Sequence, residues 1–371
     1  MIDINLPNGA MKIIKQLENY EFEAYVVGGC VRDCLLGFIP KDWDICTSAT
    51  PQEVGTIFTN YQIVETGLKH GTVTIIMDDG QYEVTTFRTE EDYTDNRHPD
   101  KVTFVKSIEK DLARRDFTIN AIAYSPFKGI IDPFNGEVDL QEKRISCVGN
   151  ADERFNEDGL RIMRALRFSS VYGFKIDNLT SEAIHRNVEL LNNISSERIN
   201  SELCKLLYGK ECLDVLLEYK DVFATIIPEL ASCIGFNQNN KYHKYTIYDH
   251  IAHAVSNYKG ADISVKIALL LHDIGKPLCY SEDQNGGHFY GHAVPSHDIA
   301  EKVLNRLKFD NKTKEAVLQL VLYHDSVIDS GTKAIKKWLN KIGAEQFYRL
   351  LSVKFADIEA HADGTQDDRI K

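Results

Sequence analysis

Residues 25–46 have the sequence YVVGGCVRDCLLGFIPKDWDIC, which combines a short apolar run, a glycine pair and two closely spaced aspartates. The run at 25–27 predicts a strand, and residues 31–36 predict a helix that Gly37 ends. Glycines between a strand and a helix let a phosphate approach the backbone at the positive end of the helix. Arg32 would add a positive fork at that point, although a glycine pair by itself also fits a tight turn.

Asp42 and Asp44 form the second half of this pattern. On a strand, residues two apart point to the same face, so the two carboxylates would repel each other unless a cation lies between them. Oxygen ligands of this kind select Mg²⁺, which also binds substrate phosphates. With the preceding glycine turn, the pair predicts metal-assisted phosphoryl transfer, and a solvated edge strand is the alternative. Glu83 is a candidate third carboxylate, with a surface charge as its alternative.

The rest of the chain changes character along its length. Residues 72–77 and 81–87 alternate as strands around Asp78-Asp79-Gly80, which is a hairpin signal. After about residue 150 the apolar spacing becomes helical, and the polar run at 237–240 indicates a domain boundary. The sequence therefore predicts an α+β fold, with a small mixed-sheet head at 1–140, an all-α neck and body at 141–235 and an all-α domain at 240–371.

Composition narrows the class of protein. The 371 residues include 43 Lys and Arg against 55 Asp and Glu, a net charge of −12, which disfavours a protein that coats nucleic acid non-specifically. The sequence contains no apolar run near the roughly 18 residues that a membrane span needs, and its start lacks a signal-peptide pattern. The eight cysteines form no C-x-x-C pair. We expect a cytoplasmic protein with reduced thiols and no membrane partner.

A series of motifs follows in order along about residues 21–235. They are Gly28-Gly29-x-x-Arg32-Asp33, Leu36-Gly37, Asp42-x-Asp44, Arg114-Arg115-Asp116-Phe117-Thr118-Ile119-Asn120-Ala121, Asp132-x-x-x-Gly136-x-x-Asp139-Leu140, Glu157-Asp158-x-x-Arg161 with Arg164, Arg167 and Phe168, and Ser196-Glu197-Arg198-Ile199. In type and order they resemble the class II nucleotidyltransferases, which comprise the tRNA CCA-adding enzymes and the bacterial poly(A) polymerases.

This resemblance implies roles for the motif residues. Asp42 and Asp44 would be catalytic and would hold two Mg²⁺ ions. Arg115 and Asp116 would hold the ribose, because an aspartate that accepts from a 2′-hydroxyl distinguishes a ribonucleotide from a deoxynucleotide. The full nucleotide-binding set would be Gly28, Gly29, Arg32, Arg115, Asp116, Asn120, Asp158, Arg161, Arg164 and Arg167.

Asp158 and Arg161 are the residues to which we assign base selection. On a helix that starts near Asn156 they would be neighbours on one face, and in the absence of the resemblance an intrahelical ion pair is the ordinary interpretation. Cytosine and adenine both present an amino donor beside a ring-nitrogen acceptor, which a carboxylate and a guanidinium match, whereas uracil and guanine present the opposite polarity. Each mismatch costs roughly 1–3 kcal/mol. Arg164 and Arg167 would neutralise the triphosphate or reach the RNA end, with a solvated face as the alternative.

The C-terminal third contains a second set of chemically active residues. In order they are His250, His272, Asp273, His292, His324 and Asp357. They resemble the ligands of the HD superfamily of metal-dependent phosphohydrolases over about residues 243–360, and His292 and His324 match the extra histidines of its two-metal members. Imidazole and carboxylate ligands suit a transition metal such as Mn, Fe, Ni or Zn, or Mg. Structural roles are predicted for the histidines at 243, 253, 288 and 297.

The expected activity is template-independent transfer of CMP and AMP from CTP and ATP to the 3′ end of tRNA, with release of pyrophosphate. A poly(A) polymerase or an A-only adder shares the motifs, and an HD-type phosphohydrolase acting on nucleotides or phosphorylated RNA ends is a further alternative. A non-catalytic RNA-binding protein would not need six aligned metal ligands. Relatives with an HD domain usually continue well past it, so the end at Lys371 predicts a missing or short tail at the tRNA elbow. The sequence gives no indication of oligomeric state.

Overall fold

The computed structural model describes residues 4–68, 71–91, 101–240, 244–284 and 286–361. By its contacts the chain divides into two compact units. The first comprises Met1–Arg161 and Phe174–Leu190, and the second comprises Ile162–Gly173 and Leu191–Lys371. The three-domain division expected from the sequence stays a prediction.

The strands of the first unit are short, and most of them lie in its first 131 residues. They are β1 (Ala24–Val27), β2 (Asp44–Thr47), β3 (Gln62–Gly67), β4 (Thr72–Met77), β5 (Gly80–Thr86), β6 (Arg88–Glu91), β7 (Lys101–Phe104), β8 (Ala123–Ser125), β9 (Gly129–Ile131), β10 (Arg144–Ile145) and β11 (Lys175–Ile176).

The main sheet has the strand order β3–β4–β5–β2–β1–β8–β9. β2 and β5 are parallel, with Asp44 opposite Glu83, and the other neighbouring pairs are antiparallel. β4 and β5 form the hairpin predicted from Asp78-Asp79-Gly80. The sheet buries Tyr25, Val27 and Phe87 in the core of the unit, because apolar residues on β1 and at the end of β5 point away from solvent. The predicted mixed-sheet head is confirmed.

Helices surround this sheet and make up most of the second unit. The helices are α1 (Asn8–Asn19), α2 (Gly29–Leu35), α3 (Pro51–Ile57), α4 (Ile108–Ala113), α5 (Gly136–Gln141), α6 (Ala151–Glu157), α7 (Leu160–Tyr172), α8 (Asn178–Arg186), α9 (Ser196–Leu207), α10 (Cys212–Glu218), α11 (Lys220–Ile226), α12 (Ile247–Asn257), α13 (Ile263–Leu271), α14 (Ala293–Arg306), α15 (Asn311–Tyr323), α16 (Thr332–Ile342) and α17 (Ala344–Ile358).

The prediction that a helix starts near Asn156 is wrong. α6 ends at Glu157 and α7 begins at Leu160, while Asp158 between them has an extended backbone with φ −146°. Gly159 lies in the break, and a Cβ at this position would lie 3.1 Å from Leu190 Cβ and from the Leu190 carbonyl oxygen. Close packing against residue 190 therefore favours glycine at this position.

The predicted all-α character of the later chain is also only partly right. β10 pairs in parallel with β11, and a hairpin forms from β12 (Ser281–Asp283) and β13 (Gly286–His288). Within this hairpin a Cβ on Gly287 would lie 2.3 Å from the Gln238 carbonyl oxygen. The hairpin thus packs backbone against backbone, which a hydrophobic pattern does not reveal.

α12, α13, α15 and α17 pack together in the second unit. α13 is buried from Ser264 to Leu271, because its sequence is largely apolar and suits the centre of a helical cluster, and the buried Lys266 donates from Nζ to the Val255 carbonyl oxygen at 2.7 Å. This central helix ends directly before His272 and so carries the following residues into the interior. Across the described parts of the chain, we find no helix that combines the length and apolarity of a membrane span.

Candidate functional site

The glycine turn after β1 has a conformation that suits glycine. Gly28 has φ +79° and caps α2, and a Cβ there would lie 2.8 Å from Arg115 Nη1. A larger residue would therefore be strained in its backbone and would displace the guanidinium. The turn consequently brings two predicted nucleotide-binding residues, Gly28 and Arg115, into direct proximity.

The predicted metal-binding carboxylates lie at the start of β2. Asp44 is its first residue and stands opposite Glu83 on the parallel neighbour β5, while Asp42 precedes the strand; all three are exposed. Partial removal of its carboxylate from water raises the pKa of Asp44, Glu83 and Asp42 raise it further, and Arg115 opposes the shift. Within the described residues these three do not bring their oxygen atoms within 4.8 Å of one another as a group. Oxygen donors that repel one another still fit Mg²⁺ in their chemistry.

Arg32 does not project freely toward a phosphate, because other side chains hold it. It is buried, donates from Nη1 to Asn120 Oδ1 at 2.6 Å and forms an ion pair with Asp33 at 2.7 Å. Asn120 in turn donates from Nδ2 to Asp116 Oδ1 at 3.0 Å. A continuous hydrogen-bonded chain thus runs from Arg32 to the carboxylate that we expect to hold the ribose, and it fixes the orientation of the Asn120 amide.

A buried carboxylate that we had not predicted supports Arg115. Asp111 is fully buried and lies 2.9 Å from Arg114 Nη2 and 3.3 Å from Arg115 Nη2. Burial alone would raise the pKa of Asp111, but the two guanidinium groups outweigh it and hold the pKa below its usual value. Among the described residues, the buried Nε of Arg115 has no hydrogen-bond partner.

Arg161 is held from several directions, but its ion pair is with Glu157. Its Nη1 contacts Glu157 and donates to the Arg154 carbonyl oxygen at 3.0 Å, and its Nη2 donates to the Arg114 carbonyl oxygen at 3.1 Å. Asp158 instead accepts from the N–H of Leu160 at 3.1 Å. The helix break therefore gives Asp158 and Arg161 separate anchors.

Arg164 and Arg167 do not form the solvated face that was the alternative interpretation. Both guanidinium groups lie over the ring of Phe168, at 5.3 and 4.0 Å from its centroid, and Arg167 also pairs with the buried Glu202 at 2.6 Å. Burial lowers the pKa of Arg167, while Glu202 opposes the shift. The ring of Phe168 therefore holds both guanidinium groups by cation–π contacts.

The six residues predicted in the C-terminal third come together in the second unit. His250 lies on α12, His272 and Asp273 follow α13, and His292 precedes α14. His324 follows α15 and Asp357 lies on α17. All six are buried, with exposures between 0 and 6%. Six ionisable side chains at such burial need partners or a metal.

Backbone hydrogen bonds fix which ring nitrogen of three histidines faces the cluster. His272 Nδ1 lies 2.7 Å from the Leu269 carbonyl oxygen, and His292 and His324 make the same contact three residues back, at 2.9 and 2.7 Å. A carbonyl accepts only, so each Nδ1 carries the proton and each Nε2 presents a lone pair. The Nε2 atoms of His292 and His324 lie 3.0 Å apart, and two lone pairs at this distance require a cation or a proton between them.

Asp273 joins two groups of ligands. Its Oδ2 lies 3.3 Å from His272 Nε2 and 3.4 Å from His250 Nε2, while its Oδ1 lies 3.0 Å from His292 Nε2 and 3.5 Å from His324 Nε2. Asp357 completes the first group, with its Oδ1 2.9 Å from His250 Nε2. Asp273 thus directs one oxygen toward each group, and its Oδ2 also pairs with Lys276 Nζ at 2.7 Å; such a carboxylate would suit a ligand shared by two ions.

The electrostatics of this cluster fit a metal. Burial disfavours a charged His272, but Asp273 and Asp357 outweigh burial and raise its pKa to about 10. Burial lowers the pKa of His324 to about 4, and the neighbouring His292 and His272 add to the effect. In the described structure, His272 Nε2 is buried without a hydrogen-bond partner. Divalent ions bound by neutral imidazoles and ionised carboxylates would satisfy all of these groups.

Family models match three parts of the chain. Residues 24–146 match the poly A polymerase head domain, residues 173–234 match a probable RNA and SrmB-binding site of polymerase A, and residues 245–357 match the HD domain. The carboxylates of the sheet fall in the first match, and the buried cluster falls in the third.

Several proteins similar to this chain are CCA-adding enzymes. A CCA-adding enzyme of Lactobacillus delbrueckii subsp. bulgaricus is 50% identical over 220 residues, 59% of this chain and 54% of that protein, and one of Geobacillus thermodenitrificans is 50% identical over 225 residues, 60% and 55%. The chain thus spans about half the length of these curated relatives. The crystal structure of the Bacillus stearothermophilus CCA-adding enzyme in complex with CTP is 32% identical, with a TM-score of 0.68 over 95% of this chain and 76% of that one. The chain belongs to the CCA-adding enzyme family.

A more distant member of the CCA-adding enzyme family has the same fold. The Thermotoga maritima CCA-adding enzyme complexed with tRNA is 21% identical, with a TM-score of 0.64 over 99% of this chain and 81% of that chain. Within this fold, the structure assigns three residues that we had not predicted to the surroundings of the sites: Asp111, Glu202 and His361. Asp111 and Glu202 are the carboxylates that hold Arg115 and Arg167. Arg161 is held by Glu157, which the sequence motif already placed four residues before it.

We expect Asp111→Asn to lower the free energy of unfolding of this CCA-adding enzyme homologue by about 2–3 kcal/mol. Removing one partner of a fully buried ion pair costs about 3–5 kcal/mol, and the arginines here keep some access to water. Because the folded pKa of Asp111 is lowered, its contribution is present above about pH 4 and is lost as the pH falls further. Urea unfolding between pH 3 and 7 measures both effects.

The matched control for Asp111→Asn is Glu109→Gln, an exposed carboxylate on the same helix. It should change stability by no more than about 0.5 kcal/mol. An Asp111→Asn protein as stable as the wild type at pH 7 would contradict the role given to this ion pair.

Proposed function

We propose that the chain, through the nucleotide-binding residues of its first unit, catalyses addition of CMP and AMP from CTP and ATP to the 3′ end of tRNA. The observation that carries this proposal is the position of Asp44 opposite Glu83, within electrostatic reach of Arg115, which lies against the glycine turn. Nucleotidyl transfer needs carboxylates that attract a cation, a turn that admits phosphate and an arginine close to both. The Bacillus stearothermophilus relative in complex with CTP supports the same reading.

Asp42 and Asp44, with Glu83 beside them, are the residues that would hold Mg²⁺. Bound there, the metal would lower the pKa of the RNA 3′-hydroxyl and neutralise charge on the departing pyrophosphate. The chain's own part is to orient the substrates. Asp116 accepts from the ribose 2′-hydroxyl while Asn120 prevents its rotation, and Arg115, whose Nη1 lies against Gly28, attracts the phosphates.

Base selection is the finer part of the proposal. The hydrogen bonds of Arg161 to Glu157, Arg154 and Arg114 occupy three of its five N–H donors. The remaining donors can serve a ring-nitrogen acceptor of cytosine or adenine, and Asp158 can accept from the exocyclic amino group. A guanidinium fixed before substrate binds loses little conformational freedom when a base arrives, which favours discrimination by hydrogen bonding.

The proposed activity is tested with a tRNA that lacks its last three nucleotides and each labelled NTP in turn. CTP and ATP together should extend it by three nucleotides, and UTP and GTP should extend it poorly. Addition of A alone to a tRNA that already ends in CC, with no use of CTP, would indicate an A-only adder. A long ladder with ATP would indicate a poly(A) polymerase.

The double change Asp158→Ala, Arg161→Ala should relax selection among the four NTPs. Each lost hydrogen bond to a base is worth roughly 1–3 kcal/mol, so CTP and ATP should lose about 10²-fold or more in single-turnover rate. UTP and GTP should change much less, because they lose a repulsion and not an attraction.

A matched control for the double change is Glu157→Gln. Arg161 would remain in place through its two backbone contacts, so the rate should fall while the order of preference among NTPs is kept. Unchanged C and A preference in the double variant would show that the base is recognised elsewhere, with Arg164 and Arg167 as the next candidates.

For the second unit we propose a metal-dependent phosphohydrolase, favoured by the bridging position of Asp273. Two groups of ligands that share one carboxylate suit a pair of divalent ions, which would activate water and neutralise a phosphoryl group. Suitable substrates are phosphorylated ends of RNA or small phosphomonoesters and phosphodiesters. All eight cysteines are free thiols, which supports the cytoplasm as the place where both activities would meet tRNA.

A further inference from the structure

His361 lies at the edge of the metal cluster although it is outside the motif that identifies the other ligands. α17 ends at Ile358, but two hydrogen bonds continue its path, from Ala360 N–H to the Asp357 carbonyl oxygen and from His361 N–H to the Ile358 carbonyl oxygen, both at 3.0 Å. Residues four apart on a helical path share one face. His361 therefore stands next to Asp357, and its exposed fraction is 9%.

The geometry around His361 is that of ligands to a common ion. Its Nε2 lies 3.5 Å from Asp357 Oδ1, and its ring stacks on His250 at 5.4 Å and 27°. A separation of 3.5 Å is too long for an N–H···O hydrogen bond. Two donor atoms that each lie about 2.1 Å from one ion are roughly 3.0–3.5 Å apart, which matches this contact and the 3.4 Å between His250 Nε2 and Asp273 Oδ2.

We propose that His361 is a further protein ligand of the ion on the His250 side of Asp273. This inference rests on the proposed metal centre and deepens it. The His250 side then offers two overlapping groups of donors, His250 with His272 and Asp273, and His250 with Asp357 and His361, whereas the other side has Asp273, His292 and His324. More protein donors leave fewer positions for water or substrate, so an ion on the His250 side would be retained and an ion on the His292 side would exchange and meet the substrate.

A purely positioning role for His361 makes a different prediction. If His361 only oriented Asp357, a side chain that donates a hydrogen bond would replace it. Glutamine offers an amide donor of similar reach but is a weak ligand for a transition metal. His361→Gln therefore separates a ligand from an orienting residue, and His361→Ala removes both functions.

The experiment uses the full chain loaded with Co²⁺, whose visible spectrum reports the ligands and the coordination number. Wild type, His361→Ala, His361→Gln and the control His297→Ala are titrated with Co²⁺ against a chelator, and bound metal is counted after desalting. His297 is a suitable control because it is in the same unit, outside the buried cluster and paired with Asp298 at 3.2 Å. Thermal melting of the four metal-free proteins establishes that each one folds.

We expect both His361 variants to lose at least about 10-fold in affinity for the tighter ion and to show an altered Co²⁺ spectrum, while His297→Ala matches the wild type. Wild-type affinity and spectrum in His361→Gln would overturn the inference while leaving the metal centre intact. A wild-type protein that binds no Co²⁺ would overturn the metal centre itself, so the two failures are distinguishable.

Discussion

Asp44→Asn should reduce nucleotide addition by about 10³-fold or more, because loss of a ligand to the catalytic metal removes several kcal/mol of transition-state stabilisation. The free energy of unfolding should not fall. Asp44 is exposed and shares its site with Glu83, which raises its pKa, so a neutral amide relieves a repulsion between the two strands. Single-turnover addition of CTP to the shortened tRNA, together with urea unfolding in the absence of Mg²⁺, measures both outcomes.

Asp78→Asn is the matched control for Asp44→Asn. Asp78 is an exposed aspartate at the β4–β5 turn of the same sheet, and its neutralisation changes the net charge by the same amount. It should add nucleotides at the wild-type rate. If Asp44→Asn also added CMP at the wild-type rate, the carboxylates of β2 would not be the metal ligands, and the proposed activity would have to be assigned to another site.

Asp273→Asn should abolish both metal binding and phosphohydrolase activity while sparing nucleotide addition. An amide cannot give one anionic oxygen to each group of imidazoles, so ions bound on either side would lose the ligand that we propose they share. Hydrolysis of a model phosphodiester should fall by about 10³-fold or more. Bound metal, hydrolysis and CTP addition are measured on the same preparation.

The control for Asp273→Asn is His253→Ala, a histidine of the same unit that stacks on Tyr245 at 4.0 Å outside the cluster. His324→Ala is a second test, because it removes a ligand from the His292 side while keeping Asp273. A folded Asp273→Asn protein that still hydrolyses the diester would refute the bridging role. A folded protein that loses nucleotide addition as well would show that the two activities are coupled.

The head of the fold could be predicted because its signals are local. The apolar run at 25–27, the glycine pair and the hairpin turn at 78–80 each specify their own few residues, and the structure has a strand, a turn and a hairpin at these positions. The register of β2 against β5 could not be predicted in this way. It joins residues 44 and 83 across an intervening helix and two strands, and it depends on sheet order.

A helix break and tertiary packing explain what the sequence did not reveal at the sites. Glu157, Asp158 and Arg161 were expected on one face of a single helix, but α6 ends at Glu157, α7 begins at Leu160, and the ion pair of Arg161 is with Glu157. The six candidate ligands of the second unit were recognisable from the order of a known pattern. His361 was not, because it follows the last motif residue, and its nearness to His250 arises from tertiary packing.

The placement of β8 beside β1 has a consequence for synthesis of the protein on the ribosome. Tyr124 pairs with Val26, and the N–H of Gly28 donates to the Ile122 carbonyl oxygen, so the turn that we expect to receive phosphate is completed by residues made much later. The roughly 80 residues between Asp44 and Tyr124 take about 4–16 s to translate. During that interval one edge of the apolar β1 has no neighbour, and such an edge invites pairing with other chains. The emerging head should therefore depend on chaperone protection until β8 appears.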